Sequence, residues 1–383
     1  MFLSSLRSRI GVPQIVALLL LLLFAAQCVW FMAHFHLTAA EASYIESGLL
    51  HMERLANASS KEHSPLVPLI AGLATRLSGA ERNIIFLSGY RYAVRLPFML
   101  TGLLLGASLW YVARRLYGNI GGYVALGLYC FSPVMVGWSS QVSPEIVGAW
   151  GAFGLIFTAI AVAHTLYAPR EVVLWNWRRI LLMGLSIAIC VGAQFSLWIV
   201  LLPALAFMLW VGHVRQGAVL AIFASACAVG LALLWAVYSF RPTVFAAALR
   251  KAGWLEISPN LPFWHSPALL FYRFFLQNGI GLVLLLAVTL VTFVVWKRAR
   301  FFGTAAPLIT AGLLVLCAYR MHSAGFTFLL VGLPFLMLFM AGVSTDLLES
   351  RYALAANAIV GGVIVANAMV DIYGLLQLNP LSR

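Results

Sequence analysis

Two carboxylates stand at the ends of apolar runs in the first part of this 383-residue chain. Glu41 follows the first apolar run by a few residues, and Glu145 comes directly after Ser143-Pro144, at the start of another run. A carboxylate at such a place can remove a proton from a hydroxyl group, and a nearby arginine can bind a phosphate. Ionisable side chains beside hydrocarbon are costly in free energy and commonly have a function. The sequence therefore indicates polar chemistry at one surface of an otherwise apolar protein.

Both carboxylates also admit a structural interpretation, and the residues alone leave the choice open. Glu41 could be a solvated side chain on a helix at the membrane interface, where acids cost little. Glu145 could interact with the positive N-terminal end of its own helix, because acidic residues are favoured in the first turn.

Histidines form a second candidate group. Neutral imidazole together with carboxylate suits a divalent ion such as Zn²⁺. No H-x-x-x-H spacing is present, and the alternative is that the histidines are ordinary interfacial side chains. Six of the eight lie in segments predicted to face the same side as the acids: His34, His36, His51, His63, His265 and His322.

The composition requires a membrane protein. Of the residues, 63% are hydrophobic and 9% are charged, and a soluble domain of this length could not enclose so much apolar surface. Only helices satisfy their own backbone groups in lipid at these lengths, so we predict an all-α polytopic integral membrane protein. About eleven transmembrane helices are predicted, at 12–33, 95–115, 119–138, 145–166, 179–193, 196–213, 217–239, 276–296, 303–318, 325–343 and 353–376.

The distribution of basic residues predicts the orientation of these helices. A cytoplasmic N-terminus puts five basic clusters on the cytoplasmic side, as the positive-inside rule requires. Two long segments, 34–94 and 240–275, then face outward. We expect a single transmembrane domain over 1–383 with no soluble domain. The net charge of +13 suits anionic lipids and needs no nucleic-acid partner.

The first outward segment is predicted to contain two short helices at the interface. Apolar residues at spacings of three and four between Glu41 and Leu55 indicate an amphipathic helix. A second helix, Leu66–Leu77, is expected to start behind Pro65 and to end near Ser78-Gly79. We expect the active site to lie in this segment, 34–94.

The order of short motifs along the chain resembles a family of membrane enzymes. Glu41-x-x-Tyr44 follows the first apolar run, His63-x-Pro-Leu-x-Pro-Leu comes next, and Arg95-Leu-Pro opens the second run. Phe131-Ser132-Pro133 and Tyr319-Arg320-Met321-His322 continue the likeness further along the chain. Together these motifs resemble the glycosyltransferase-C superfamily, in the branch of the protein O-mannosyltransferases and the aminoarabinose transferases of lipid A.

The resemblance implies an inverting transferase that takes a sugar from a polyprenyl-phosphate carrier on the outer face of the membrane. Such an enzyme must deprotonate an acceptor hydroxyl and hold the departing phosphate. On this interpretation Glu41 is the base, and Glu145 binds a metal or the acceptor beside it. The family usually has Asp immediately before that glutamate, whereas this chain has Ala40.

The resemblance also implies which residues bind the donor phosphate. Arg95, Arg320 and His322 are expected to do so, because arginine binds phosphate through two parallel hydrogen bonds. Arg95 could instead pair with Glu41 or Glu46 and brace the loop.

The same resemblance implies roles for further residues and segments. His63 and His265 are candidates for acceptor or metal binding, and His63 with Glu145 is the candidate pair for a divalent metal ion. The segment 240–275 corresponds to a loop that covers the lipid-donor entrance, which makes it a candidate lid. Gln194 stands near a mid-chain break where many relatives have Lys.

Three functions remain open at the level of the sequence. The first is a glycosyltransferase of the bacterial inner membrane with its site facing outward. The second is a catalytically degenerate relative that serves as a structural or assembly subunit beside a protein partner, as Ala40 and Gln194 would suggest. The third is a transporter of lipid-linked sugar, which is disfavoured because the predicted spans carry few charges and show no paired half-repeats.

Overall fold

The part of the chain that the structure describes consists of α-helices, short 3₁₀ segments and the turns between them. In this computed structural model the described residues are 11–52, 66–79, 90–166, 177–251, 278–296, 299, 301–320 and 325–377. The 3₁₀ segments Phe195–Val200 and His213–Arg215 flank the helix Leu201–Val211. The helices are α1 Val12–His34, α2 Ala39–Met52, α3 Leu66–Leu77, α4 Tyr90–Cys130, α5 Pro133–Ser139, α6 Pro144–Thr165, α7 Trp177–Ala193, α8 Leu201–Val211, α9 Gln216–Val237, α10 Pro242–Lys251, α11 Ile280–Val295, α12 Phe302–Arg320, α13 Gly325–Leu348 and α14 Ala353–Leu376.

Several of these helices are long and apolar enough to cross a membrane, which confirms the predicted class. Within the described ranges, six segments meet both conditions. The count of eleven spans and the cytoplasmic N-terminus stay predictions. The six segments are Val12–His34, Tyr90–Cys130, Pro144–Thr165, His213–Val237, Phe326–Leu348 and Ala353–Leu376.

Helix α4 contains two arms that the sequence predicts as separate spans. The arms meet at Gly118, whose backbone has φ +78° and ψ −172°. Only glycine adopts this region readily, because a side chain would collide with its own backbone. The second arm ends at Cys130, short of the predicted 138, because Pro133 begins α5 behind the N-cap residue Ser132.

The bundle has two ends, which we name by their contents. The loop end holds α2, α3 and α10, together with the last turn of α1 and the first turns of α4 and α6. The far end holds the Gly118 turn and the start of α12, where the Tyr117 hydroxyl donates to the carbonyl oxygen of Gly303 at 2.7 Å. Helix α13 runs through the middle of the bundle, and 94% of the residues in its most apolar stretch are buried.

The two helices of the first loop pack closely against each other. Gly48 of α2 lies directly on the backbone of Pro68 in α3, and a Cβ atom at Gly48 would collide with the Pro68 carbonyl oxygen. Gly72 meets the backbone of α2 in the same way. The predicted helix Leu66–Leu77 therefore forms with its partner α2 a compact hairpin that covers the loop end.

Candidate active site

Glu41 and Arg95 form a buried ion pair at the centre of the loop end. Arg95 Nε donates to Glu41 Oε1 and Arg95 Nη2 donates to Glu41 Oε2, each at 2.8 Å. The two side chains are 1% and 0% exposed. Two parallel charge-assisted hydrogen bonds of this kind are short and geometrically specific. Arg95 thus pairs with Glu41, as the bracing alternative predicts.

The remaining contacts of Arg95 and Glu41 join four segments of the chain. Arg95 also donates to the carbonyl oxygens of Phe35 at 2.8 Å and His36 at 2.9 Å. Glu41 Oε1 accepts from the backbone N–H of Val142 at 3.0 Å. The pair therefore ties the end of α1, the start of α2, helix α4 and the turn that precedes α6.

Glu41 also caps its own helix. Its Oε2 accepts from the Thr38 backbone N–H at 2.9 Å and from the Thr38 hydroxyl at 3.2 Å, while that hydroxyl accepts from the Glu41 N–H at 3.2 Å. This reciprocal pattern is a capping box, and the Thr38-x-x-Glu41 spacing predicts it. Both carboxylate oxygens of Glu41 are consequently engaged within the protein, and the neighbouring Ala40 is exposed without supplying a carboxylate.

Glu145 is a carboxylate at this end with unused hydrogen-bonding capacity, as is Asp371 near the end of α14. Glu145 lies half-buried in the first turn of α6, three residues after Val142. Its Oε1 accepts from the Thr327 hydroxyl of α13 at 3.3 Å. Its Oε2 is shielded from solvent and has no hydrogen-bond partner among the described residues. A shielded, unpaired carboxylate oxygen costs free energy, which points to a partner beyond the described residues.

Two further polar atoms near this turn lack partners. Gly148, one turn further along α6, packs against Ala193 and Leu197. Between these two residues lie Gln194 and Ser196, whose Oε1 and Oγ atoms are buried and make no hydrogen bond within the described part of the chain. The segment that carries Gln194 thus packs against α6 one turn after Glu145, which the sequence alone does not reveal.

A pocket with a cationic lining lies at the loop end between α2, α3, α9 and α10. Its volume is about 340 Å³, and its walls include His51, Arg76 and Arg241. No acidic residue belongs to its described lining. The turn that carries Arg241 contains Ser239 and Phe240 with φ of +53° and +56°, a conformation that few non-glycine residues adopt. We call this site the cationic pocket.

The cationic pocket is built by contacts between distant segments. His51 Nε2 lies 3.1 Å from the carbonyl oxygen of Val237, which holds the end of α2 against the end of α9. Arg76 lies in the last turn of α3, and Arg241 precedes α10. Sequence reasoning missed Arg76 and Arg241 because they lie 165 positions apart, although both stand at helix ends in the predicted outward loops.

Comparison with known proteins gives a match to one family profile and matches to solved structures of membrane enzymes. Residues 62–240 match the profile of the dolichyl-phosphate-mannose-protein mannosyltransferase family. The apo oligosaccharyltransferase of Archaeoglobus fulgidus superposes with a TM-score of 0.58 at 12% identity, over 94% of this chain and 55% of that one. ArnT from Cupriavidus metallidurans bound to undecaprenyl phosphate superposes with a TM-score of 0.58 at 13% identity, over 95% of this chain and 75% of that one.

The chain has the glycosyltransferase-C fold. The resemblance seen in the motifs is therefore confirmed. A comparison with curated protein sequences gives no match. The chain spans about half of the archaeal oligosaccharyltransferase, at 55%, and three-quarters of ArnT, at 75%.

The other predicted site residues cannot be placed beside Glu145. His63, His265 and His322 lie outside the described residues. Arg320 is the last residue of α12, and its side chain also lies outside the described set. The predicted lid, 240–275, is described only as far as α10.

The described residues do not make a metal site by themselves. Among them, no group of three or more His, Cys, Asp or Glu side chains lies close enough to hold an ion. Glu145 contributes one oxygen without a partner, and a metal there would need ligands from outside the described ranges. One structure of the archaeal oligosaccharyltransferase contains Zn and sulfate, at a TM-score of 0.56 and 12% identity over 94% of this chain and 52% of that one.

Proposed function

We propose that this protein is a membrane glycosyltransferase that moves a sugar from a polyprenyl-phosphate carrier to an acceptor at the loop end, on the outer side of a bacterial inner membrane. Two observations carry the proposal, both at the loop end of a bundle with the glycosyltransferase-C fold: the cationic pocket, and Glu145 with an oxygen that has no partner among the described residues. The family profile, residues 62–240, includes Glu145 and Arg76, whereas His51 and Arg241 of the pocket lie just outside its limits.

The two features suit the two halves of the reaction. The acceptor oxygen attacks the anomeric carbon of the donor, and the bond from that carbon to the phosphate oxygen breaks with its electron pair. Two arginines and a histidine can hold the departing phosphate, because guanidinium groups bind phosphate with two parallel hydrogen bonds. A carboxylate takes the proton of the acceptor hydroxyl. Attack from the face opposite the phosphate inverts the anomeric centre.

We assign the base role to Glu145 and a positioning role to Glu41. Glu41 is enclosed and engaged on both oxygens, so it offers no lone pair to a substrate in this conformation. It instead holds Val142, and through that backbone contact the turn that presents Glu145. Arg95 likewise uses four hydrogen bonds within the protein. We therefore assign the donor phosphate to Arg76 and Arg241, with Arg320 and His322 as further candidates.

Glu145→Gln tests the base assignment because it keeps the shape of the side chain and removes the charge. We expect carrier binding and thermal stability to stay at the wild-type level, while sugar transfer falls by at least about a hundredfold, as for the loss of a general base. Transfer or hydrolysis of radiolabelled undecaprenyl-phosphate hexoses by the purified full chain measures this. Full activity in the variant would rule out Glu145 as the base.

The phosphate assignment is tested with undecaprenyl phosphate as the probe, by native mass spectrometry in mild detergent. Arg76→Gln/Arg241→Gln should lose binding by at least about tenfold, because hydrogen bonds to charged groups contribute roughly 1.5–3 kcal/mol each. The matched control is Arg91→Gln/Arg250→Gln, which removes two loop-end arginines that do not line the cationic pocket. Equal loss in both double variants, or none in either, would reject the pocket as the phosphate site.

A second candidate function is a structural or assembly subunit, and one observation favours it. The residue before Glu41 is Ala40, and Glu41 itself is locked into the ion pair with Arg95. The same purification separates the two functions. A co-purifying protein in fixed stoichiometry, with no polyprenyl phosphate retained by the wild-type chain, would establish the subunit and exclude the transferase.

A further inference from the structure

A large groove lies at the far end of the bundle, away from the proposed active site. It runs between α4 and α6, with α7 and α12 contributing to its walls, and its volume is about 1100 Å³. Small-molecule pockets usually have volumes of roughly 300–1,000 Å³. We call it the far-end groove.

The inner walls of the far-end groove are apolar. Leu104, Phe153 and Phe157 lie along it, and the hydroxyl groups of Ser108 and Thr158 bond to their own helices. Ser108 Oγ donates to the Leu104 carbonyl oxygen at 2.7 Å, and Thr158 Oγ1 donates to that of Gly154 at 2.6 Å. Since these donors are already engaged, the depth of the groove suits hydrocarbon.

The mouth of the groove is cationic. Arg115, Arg179 and His164 line it and are exposed, and no acidic residue belongs to its described lining. Arg115 follows Leu104 by eleven positions, and His164 follows Phe153 by the same number. At about 1.5 Å per helical residue this places the cations roughly 16 Å from the apolar inner wall.

The two arginines of the mouth differ from their immediate neighbours. Arg114 donates to Asn119 Oδ1 at 2.9 Å and lies 5.2 Å from the centre of the Trp110 ring. Arg178 lies 5.6 Å from the centre of the Trp177 ring. Arg115 and Arg179 line the groove and form no such contact with a described residue.

We propose that the far-end groove binds an anionic glycerophospholipid, with the phosphate headgroup between Arg115 and Arg179 and an acyl chain along the inner wall. Basic pockets between transmembrane helices bind anionic headgroups in this manner. A second cavity of about 860 Å³ meets the groove at His164 and Phe302, which gives room for the other chain. The length of the apolar section is what favours a lipid over free phosphate, which would use the mouth alone.

The test is native mass spectrometry of the full chain with phosphatidylglycerol and phosphatidylcholine carrying identical tails. We expect the wild type to retain phosphatidylglycerol at least about tenfold more strongly, because each arginine near an anionic headgroup contributes appreciably. Arg115→Gln/Arg179→Gln should lose this preference. Arg114→Gln/Arg178→Gln removes the same charge from the same surface and should keep it.

A second variant tests the hydrocarbon part of the proposal. Ala161→Trp fills the groove between mouth and inner wall and should reduce phosphatidylglycerol retention with all cations in place. Ala358→Trp, at an exposed position of α14 outside the groove, is its control. Glycerol 1-phosphate should not displace the lipid. Displacement by it, equal retention of the two lipids by the wild type, or equal loss in both arginine pairs would overturn the proposal.

Discussion

The buried pair of Glu41 and Arg95 is the residue-scale feature on which the geometry of the loop end depends. Removing one partner leaves the other as an uncompensated charge, which costs about 3–5 kcal/mol in proteins. We therefore expect Glu41→Gln to lower the thermal unfolding temperature of the detergent-solubilised protein markedly. The control is Glu46→Gln, on the exposed side of the same helix. Equal unfolding temperatures for the wild type and Glu41→Gln would contradict the positioning role.

The same pair predicts how activity responds to a substitution that keeps the positive charge and changes the hydrogen-bonding geometry. Arg95→Lys keeps the charge but has no planar fork, so it cannot reproduce the two parallel hydrogen bonds to Glu41. We expect lower stability and slower transfer, with undecaprenyl-phosphate binding unchanged, because the cationic pocket contains neither residue. A selective loss of carrier binding in Arg95→Lys would instead place Arg95 at the donor phosphate.

At the scale of elements, the turn inside α4 depends on one glycine. Gly118 has φ +78° and ψ −172°, and no atom lies within 4 Å of where its Cβ would be, so a substitution there meets backbone strain alone. Gly118→Ala should cost about 1–3 kcal/mol of unfolding free energy. Gly362→Ala in α14, where φ is not positive and space is also open, should be neutral or stabilising. A neutral Gly118→Ala would show that the two arms tolerate another turn.

The elements also show what the sequence can predict and where local patterns fail. The helices α3 and α14 match the predicted 66–77 and 353–376, because Pro65 with Ser78-Gly79 and a long apolar run mark their limits. The predicted boundary at 138 was wrong, since Ser132-Pro133 starts a new helix inside that apolar run.

The site was harder to predict than the helices for a physical reason. Arg95 had two acidic candidates, Glu41 and Glu46, at helical positions that the sequence cannot rank. The cationic pocket needs Arg76 and Arg241, whose proximity arises only when α3 packs near the end of α9. Such proximity depends on tertiary packing, and periodicity within a single helix does not contain it.

At the scale of the whole molecule, both proposals depend on which end faces the cytoplasm. The described far end carries arginines on several short connections, among them Arg114, Arg115, Arg178, Arg179, Arg215 and Arg351. The positive-inside rule places such an end in the cytoplasm. There anionic phospholipid is abundant, and the loop end then faces the outer side where the proposed transfer takes place.

Single-cysteine labelling measures this orientation directly. The native cysteines are buried, apart from the half-buried Cys227, so background labelling should be low. Ser43→Cys at the loop end should react with a membrane-impermeant maleimide in intact spheroplasts, because its position on α2 is exposed. Gln216→Cys, exposed at the far end, should react only after permeabilisation. The reverse pattern would put the cationic pocket and Glu145 in the cytoplasm, which is incompatible with transfer on the outer face.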